Sequence, residues 1–124
     1  MKATITIEGR TTTEFPNLVR NDFGSDVQFN LTNDDGTPYD LTGFTVKFKA
    51  ALYGQTCGDI GTEVNQIDET CAVAAPLTGQ TIWTIAAGNL ATAGKYKTEV
   101  ECVSGSITVS VKTGDLVVVD DNPV

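Results

Sequence analysis

Apolar and polar residues alternate with a period of two in short runs along this chain, and helical spacing is almost absent. Val27-Gln28-Phe29-Asn30-Leu31 places Val27, Phe29 and Leu31 on one face, and Phe44-Thr45-Val46-Lys47-Phe48-Lys49 does the same with Phe44, Val46 and Phe48. Both predict half-buried strands. Thr4-Ile5-Thr6-Ile7 is a shorter run near the N-terminus, residues 63–67 and 72–75 are weaker ones, and Gln80-Thr81-Ile82-Trp83-Thr84-Ile85 is stronger. The clearest alternation is Tyr96-Lys97-Thr98-Glu99-Val100-Glu101-Cys102, with Tyr96, Thr98, Val100 and Cys102 on one side and only charge on the other. Residues 106–111 and 115–119 complete the set, with Lys112-Thr113-Gly114 read as the break between two strands. Seven to nine strands spaced about ten residues apart, with turn residues rather than helices between them, predict an all-β fold, an antiparallel β-sandwich.

Two segments fall outside this rhythm. Residues 8–25 contain Phe15, Leu18, Val19 and Phe23 without sustained alternation. They read either as an arm lying on a neighbouring molecule or as an ordered loop closing one end of the chain's own sandwich. In residues 50–62, Gly54, Gly58 and Gly61 interrupt the pattern and predict a long, mobile connection.

With 124 residues the chain has the size of a single domain, 1–124, able to bury a core without disulfides or metals. Its net charge of −8 comes from 16 acidic and 8 basic residues, the basic ones without any cluster, so binding to nucleic-acid phosphates is opposed by the protein's own field. The start, MKATITIEGR, lacks the apolar core of a signal peptide, and no apolar run approaches the roughly 20 residues of a membrane helix. The expectation is a protein made in a cytoplasm, with no membrane contact.

The chemistry available is sparse. The sequence contains no histidine, the usual general base, and no Ser or Cys stands in a G-x-S-x-G setting; phosphate-binding Gly loops are also missing. The pairs Asp34-Asp35 and Asp120-Asp121 read as solvated charge. These observations predict a protein that is not an enzyme and takes no cofactor. Cys57, Cys71 and Cys102 cannot complete a zinc site without further ligands, and free thiols are expected over a Cys57–Cys71 disulfide in a reducing compartment. Asn33-Asp34-Asp35-Gly36 has the composition of a turn, since Asp and Asn bond their own backbone and Gly accepts positive φ. It lacks the spacing and the closing Glu of a calcium loop. Leu41 then reads as an apolar plug and Gly43 as a bend. Tyr96 stands where a tyrosine corner places its ring, at a strand start just after a turn. Trp83 shares a face with Thr81 and Ile85, opposite Ile82, and the pattern leaves open whether that face is core or contact surface.

The residues NDFGSDVQFNLTNDDGTPYDLTGFTVKFKA, followed by GQTIWTIAAGNLATAGKYKTEVEC, resemble the Ig-like β-sandwich modules of tailed bacteriophages, typified by the N-terminal domain of the baseplate upper protein. The motifs D-G-T-P, D-L-T-G and A-G-K-Y occur in series, and the likeness spans about residues 21–120. It implies an antiparallel Ig-like β-sandwich of about seven to nine strands and a structural role in the virion, touching other virion proteins and further copies of itself. Members of the baseplate type continue beyond this module, whereas this chain ends at Asn122-Pro123-Val124, so the expectation includes a neck, tail or capsid decoration component. Contacts of this kind use strand edges, arms and apolar loop residues. Phe15, Leu18 and Phe23 in the arm, Tyr53 in the Gly-rich connection, and Trp83 are the contact candidates. The competing reading is a free-standing Ig-like module that recognises a host-surface glycan or protein, with Trp83, Tyr39, Tyr53 and Tyr96 as the aromatics able to stack on sugars. Exposure of Trp83 and Tyr53 on one patch would favour it; exposed apolar residues within 8–25 would favour assembly.

Overall fold

The computed structural model describes residues 1–53 and 67–120. Among the described residues nine strands follow one another as β1 (Lys2–Ile7), β2 (Arg10–Thr12), β3 (Leu18–Val19), β4 (Asp26–Thr32), β5 (Thr45–Leu52), β6 (Ile67–Cys71), β7 (Gln80–Thr84), β8 (Gly94–Ser104) and β9 (Ile107–Val119). A 3-10 turn, Pro76–Thr78, precedes β7. The strands form two sheets, β2-β1-β4-β7 and β3-β9-β8-β5-β6. Every pairing is antiparallel except that of β3 with β9. In this order β1, β4 and β7 occupy the places of strands A, B and E of an immunoglobulin sandwich, and β5, β8 and β9 those of C, F and G. The chain is therefore an all-β sandwich of Ig-like strand order.

The period-2 runs translate directly into burial. On β4, Val27, Phe29 and Leu31 are fully buried, and on β8 Tyr96, Thr98, Val100 and Cys102 alternate with half-exposed charges. Between the sheets Phe29 stacks on Phe48 at 5.2 Å, and Phe48 stacks on Trp83 at 4.4 Å. Burying side chains of this size contributes about 2–3 kcal/mol each. Leu41 plugs the β4–β5 connection as expected. Tyr96 is buried and its hydroxyl donates to the Thr92 carbonyl at 2.5 Å, the tyrosine-corner bond that ties the strand start to the loop before it.

Two strand expectations change. Residues 106–111 and 115–119 belong to one strand, β9, because a bulge rather than a break lies at Thr113: Thr98 pairs with Gly114 and Glu99 with Lys112, leaving Thr113 as the extra residue. Its side chain turns inward and shares a 2.5 Å hydrogen bond with Thr98. The run at 72–75 is not a strand; the strand is Ile67–Cys71, and Ala72 adds one isolated bridge to Ile82. The run read at 63–67 reaches the described residues at Ile67 alone, and from residue 54 onward the Gly-rich connection lies outside them.

Candidate functional site

Residues 8–25 do not form a free arm among the described residues. Thr11 and Thr12 pair with Thr6 and Ile5 on β1, and Leu18 and Val19 run parallel to Val118 and Val119 at the end of β9. Between them Phe15 enters the core, 6.1 Å edge-on to Phe29 and 5.8 Å from Phe48. The segment lacked alternation because its apolar residues serve two different sheets and the space between them.

This placement corrects two of the five contact candidates. Phe15 is 9% exposed and Trp83 is fully buried, so both are core residues. Trp83 points inward because β7 lies on β4, with Trp83 opposite Val27, and its indole N–H donates to Asn89 Oδ1 at 3.3 Å. Leu18 is half-buried and packs against the core from β3. Phe23 and Tyr53 do face solvent, at 65% and 49% exposure.

The loop that carries Phe23 is pinned on both sides. Asn21 N–H donates to the Leu90 carbonyl at 2.9 Å, Gly24 N–H to the Ile85 carbonyl at 2.7 Å, and Ile85 N–H to the Ser25 carbonyl at 2.9 Å. Asn21 and Gly24 hold positive φ, 70° and 94°, which bends the chain outward at Phe23. A phenyl ring is thus held in water by backbone anchors. Tyr53 follows β5, where its N–H donates to the Lys95 carbonyl at 2.9 Å and its hydroxyl to Asp115 Oδ1 at 2.6 Å. Lys95 lies over the ring, 5.4 Å from its centre, and pairs with Asp115 at 3.3 Å. The bond to the Asp115 carboxylate raises the Tyr53 pKa and lowers that of Asp115. Tyr53 is already engaged within the chain, whereas Phe23 is not. Exposed Leu77 and Ile107, at 71% and 56%, were missed as surface residues. The run Ile-Thr-Val-Ser-Val holds no charge, unlike the outward positions of β8, and that was the available signal for an unusual edge.

The fold gathers Lys47, Lys49, Lys95 and Lys112 on the outer side of the five-stranded sheet, a concentration invisible along the chain. Each is matched by an acid: Lys49 with Glu101 at 3.1 Å, Lys95 with Asp115 at 3.3 Å, Lys112 with Glu99 at 3.7 Å and Lys47 with Asp68 at 3.9 Å. The sheet face is therefore charge-balanced rather than a basic patch. The acidic segment 33–43 forms a turn: Asn33 N–H donates to the Thr37 carbonyl at 2.8 Å, and Asp35 Oδ1 accepts from the Thr37 hydroxyl at 2.7 Å and N–H at 3.0 Å. Those bonds hold the Asp35 carboxyl below its usual pKa. Among the described residues no group of three His, Cys, Asp or Glu is placed to hold a metal.

A cleft of about 410 Å³ lies beneath residues 12–16, lined among others by Ile7, Arg10, Glu14 and Phe15. It brings no thiol or Ser hydroxyl next to a base. Cys71 and Cys102 are free and buried, and burial pushes their thiols up to about 12 and about 11, far from thiolate character. Cys57 lies outside the described residues, as does its pairing. Among the described residues no helix is long and apolar enough to cross a membrane. Comparison with protein-family models, with curated proteins and with solved structures finds no match to this chain.

Proposed function

We propose that the chain is a non-enzymatic structural component of a bacteriophage virion, in its tail, baseplate, neck or capsid decoration, and that it acts through protein–protein contacts. The observation that carries the contact role is Phe23. An aromatic ring 65% exposed, on a loop anchored to Ile85 and Leu90, loses little conformational freedom when a partner covers it. Of the apolar residues within 8–25 Phe23 is the exposed one, while the rest of that segment is folded onto the chain's own sheets. The virion assignment rests on the serial motifs D-G-T-P, D-L-T-G and A-G-K-Y. Glycan recognition is weakened, because its largest stacking surface, Trp83, is inside the core.

Co-sedimentation with particles stripped of this protein tests the reading. Wild-type chain is expected in the pellet, and Phe23→Asp, which changes only an exposed position, is expected in the supernatant. A chain that ignores particles but is retained on host cells or glycans would replace the proposal by the binding-module reading.

A further inference from the structure

The edges of the two sheets are not treated alike. On the four-stranded sheet, β2 is three residues long, and β7 is capped at its middle by Ala72, whose N–H and carbonyl bond Ile82 at 2.8 and 2.9 Å. On the five-stranded sheet, β6 turns the carboxylate of Glu69 toward the core side, where Asn89 holds it at 2.9 Å. Short strands, a covering bridge and an inward charge are the usual protections against edge pairing. The remaining edge belongs to β9, which β3 covers only at Val118 and Val119. Among the described residues nothing pairs with the outer side of Ile107–Lys112.

The backbone there is set up to receive a strand. β8 and β9 are joined by the two-residue turn Gly105-Ser106, with Gly105 at φ 58°, and Ser104 opposes Ile107 across it. In such a hairpin the residues flanking the turn form the closely bonded pair, so Ile107, Val109 and Val111 bond β8. The N–H and carbonyl groups of Thr108, Ser110 and Lys112 consequently point away from the sheet. Side chains divide cleanly: Ile107, Val109 and Val111 on the core side, Thr108 and Ser110 on the outer side.

We infer that this edge pairs antiparallel with the same edge of a second copy, about a twofold axis at Val109, joining two five-stranded sheets into one. The inference extends the contact role proposed above to a particular partner and rests on that role. Three features favour a second copy over an unrelated strand. In this register Ile107 lies opposite Val111 and Val109 opposite Val109, so apolar meets apolar on one side, while Thr108 meets Ser110 on the other. Residues 105–111 carry no ionisable side chain in a chain of net charge −8, so like-charged copies meet here with least repulsion. The nearest charge on the strand, Lys112, falls opposite Ser106 rather than opposite itself. Residues flanking the strand are paired internally, Lys112 with Glu99 and Thr98 with Thr113, and need no rearrangement.

The test is the solution mass of the full chain against concentration, by sedimentation velocity, with two variants. Ser110→Pro removes an outward N–H without taking a bond from β8, and Ser110→Lys brings positive charges together near the axis while leaving the backbone intact. Wild type is expected to reach twice 13.1 kDa, more readily as salt screens the net charge, and each variant to raise the dissociation constant by at least about tenfold. If Ser110→Pro does not fold, Ser110→Lys decides. In a Cys57→Ser, Cys102→Ala background, which removes the thiol opposite position 109 on β8, Val109→Cys is expected to form an intermolecular disulfide on oxidation, which reads the register. A wild-type chain that stays monomeric, or a dimer that both variants leave unchanged, overturns the inference. A monomer that still binds stripped particles overturns it while leaving the contact role standing.

Discussion

Trp83→Ala separates a core tryptophan from a binding anchor. The ring is fully buried and lies 4.4 Å from Phe48, with 25° between their planes. Truncating a buried tryptophan removes about 3–5 kcal/mol, part of it lost transfer energy and part the cavity left behind. Collapse into that cavity is restricted, because Phe48 is also stacked on Phe29 at 5.2 Å and touched by Phe15 at 5.8 Å. The upper half of the range, about 4–5 kcal/mol, therefore applies. The lost hydrogen bond adds little: it is 3.3 Å long, and Asn89 Oδ1 keeps the Ala86 N–H at 2.8 Å. With a urea dependence of about 2 kcal/mol per molar, the midpoint falls by about 2 M. The assay is urea unfolding followed by circular dichroism. As the only tryptophan, Trp83 also reports on itself in the wild type, with blue-shifted emission resistant to iodide. A loss below about 1 kcal/mol, or ready quenching by iodide, refutes the placement.

Glycine substitutions should split by their surroundings. Gly79 has φ +69° and a Cβ there would run into the Leu31 carbonyl oxygen, so Gly79→Ala is expected to lose about 3 kcal/mol or more, against about 1 kcal/mol for Gly114→Ala, where φ is +84° and the space is open; thermal unfolding of the two variants side by side checks the ranking. Asp35 and Asp40 accept hydrogen bonds from Thr37 and Thr42 that lower their pKa values below 3.8, so both contribute stability above the unfolded value that is lost as the pH falls through the folded one. Carboxyl titration by NMR should give midpoints under 3.8 that return upward in Thr37→Ala and Thr42→Ala respectively. Cys71 and Cys102 have the opposite sign: the unfolded chain loses these protons first, so stability is full below about pH 9 and declines above it. A thiol reagent at pH 8 should reach both only on unfolding, and rapid reaction of either in the native protein would contradict their burial.

The clearest strands were legible because burial of one face leaves its mark on every second residue. Tyr96, Thr98, Val100 and Cys102 were assigned to one side from spacing alone, and all four are buried. The same rule misread β9, since the bulge at Thr113 shifts the inward set from Ile107, Val109 and Val111 to Leu116 and Val118, and a change of phase looks like a break. For Trp83 the spacing grouped it correctly with Thr81 and Ile85 without saying which side was inner. That depended on β7 docking beside β4, opposite Val27.

Alternation and turn chemistry are properties of neighbouring residues, and they were enough to specify an all-β antiparallel sandwich before any pairing was known. The contact surfaces were a different matter. Phe15 and Phe23 sit eight positions apart in similar company, yet one fills the space between the sheets and the other is held in water by Ile85 and Leu90. The open edge of β9 is likewise set by where the two-residue strand β3 happens to stop. Backbone donors and acceptors are the same in every residue but proline, so which of them stay unpaired depends on long-range strand pairing, and no local pattern records it.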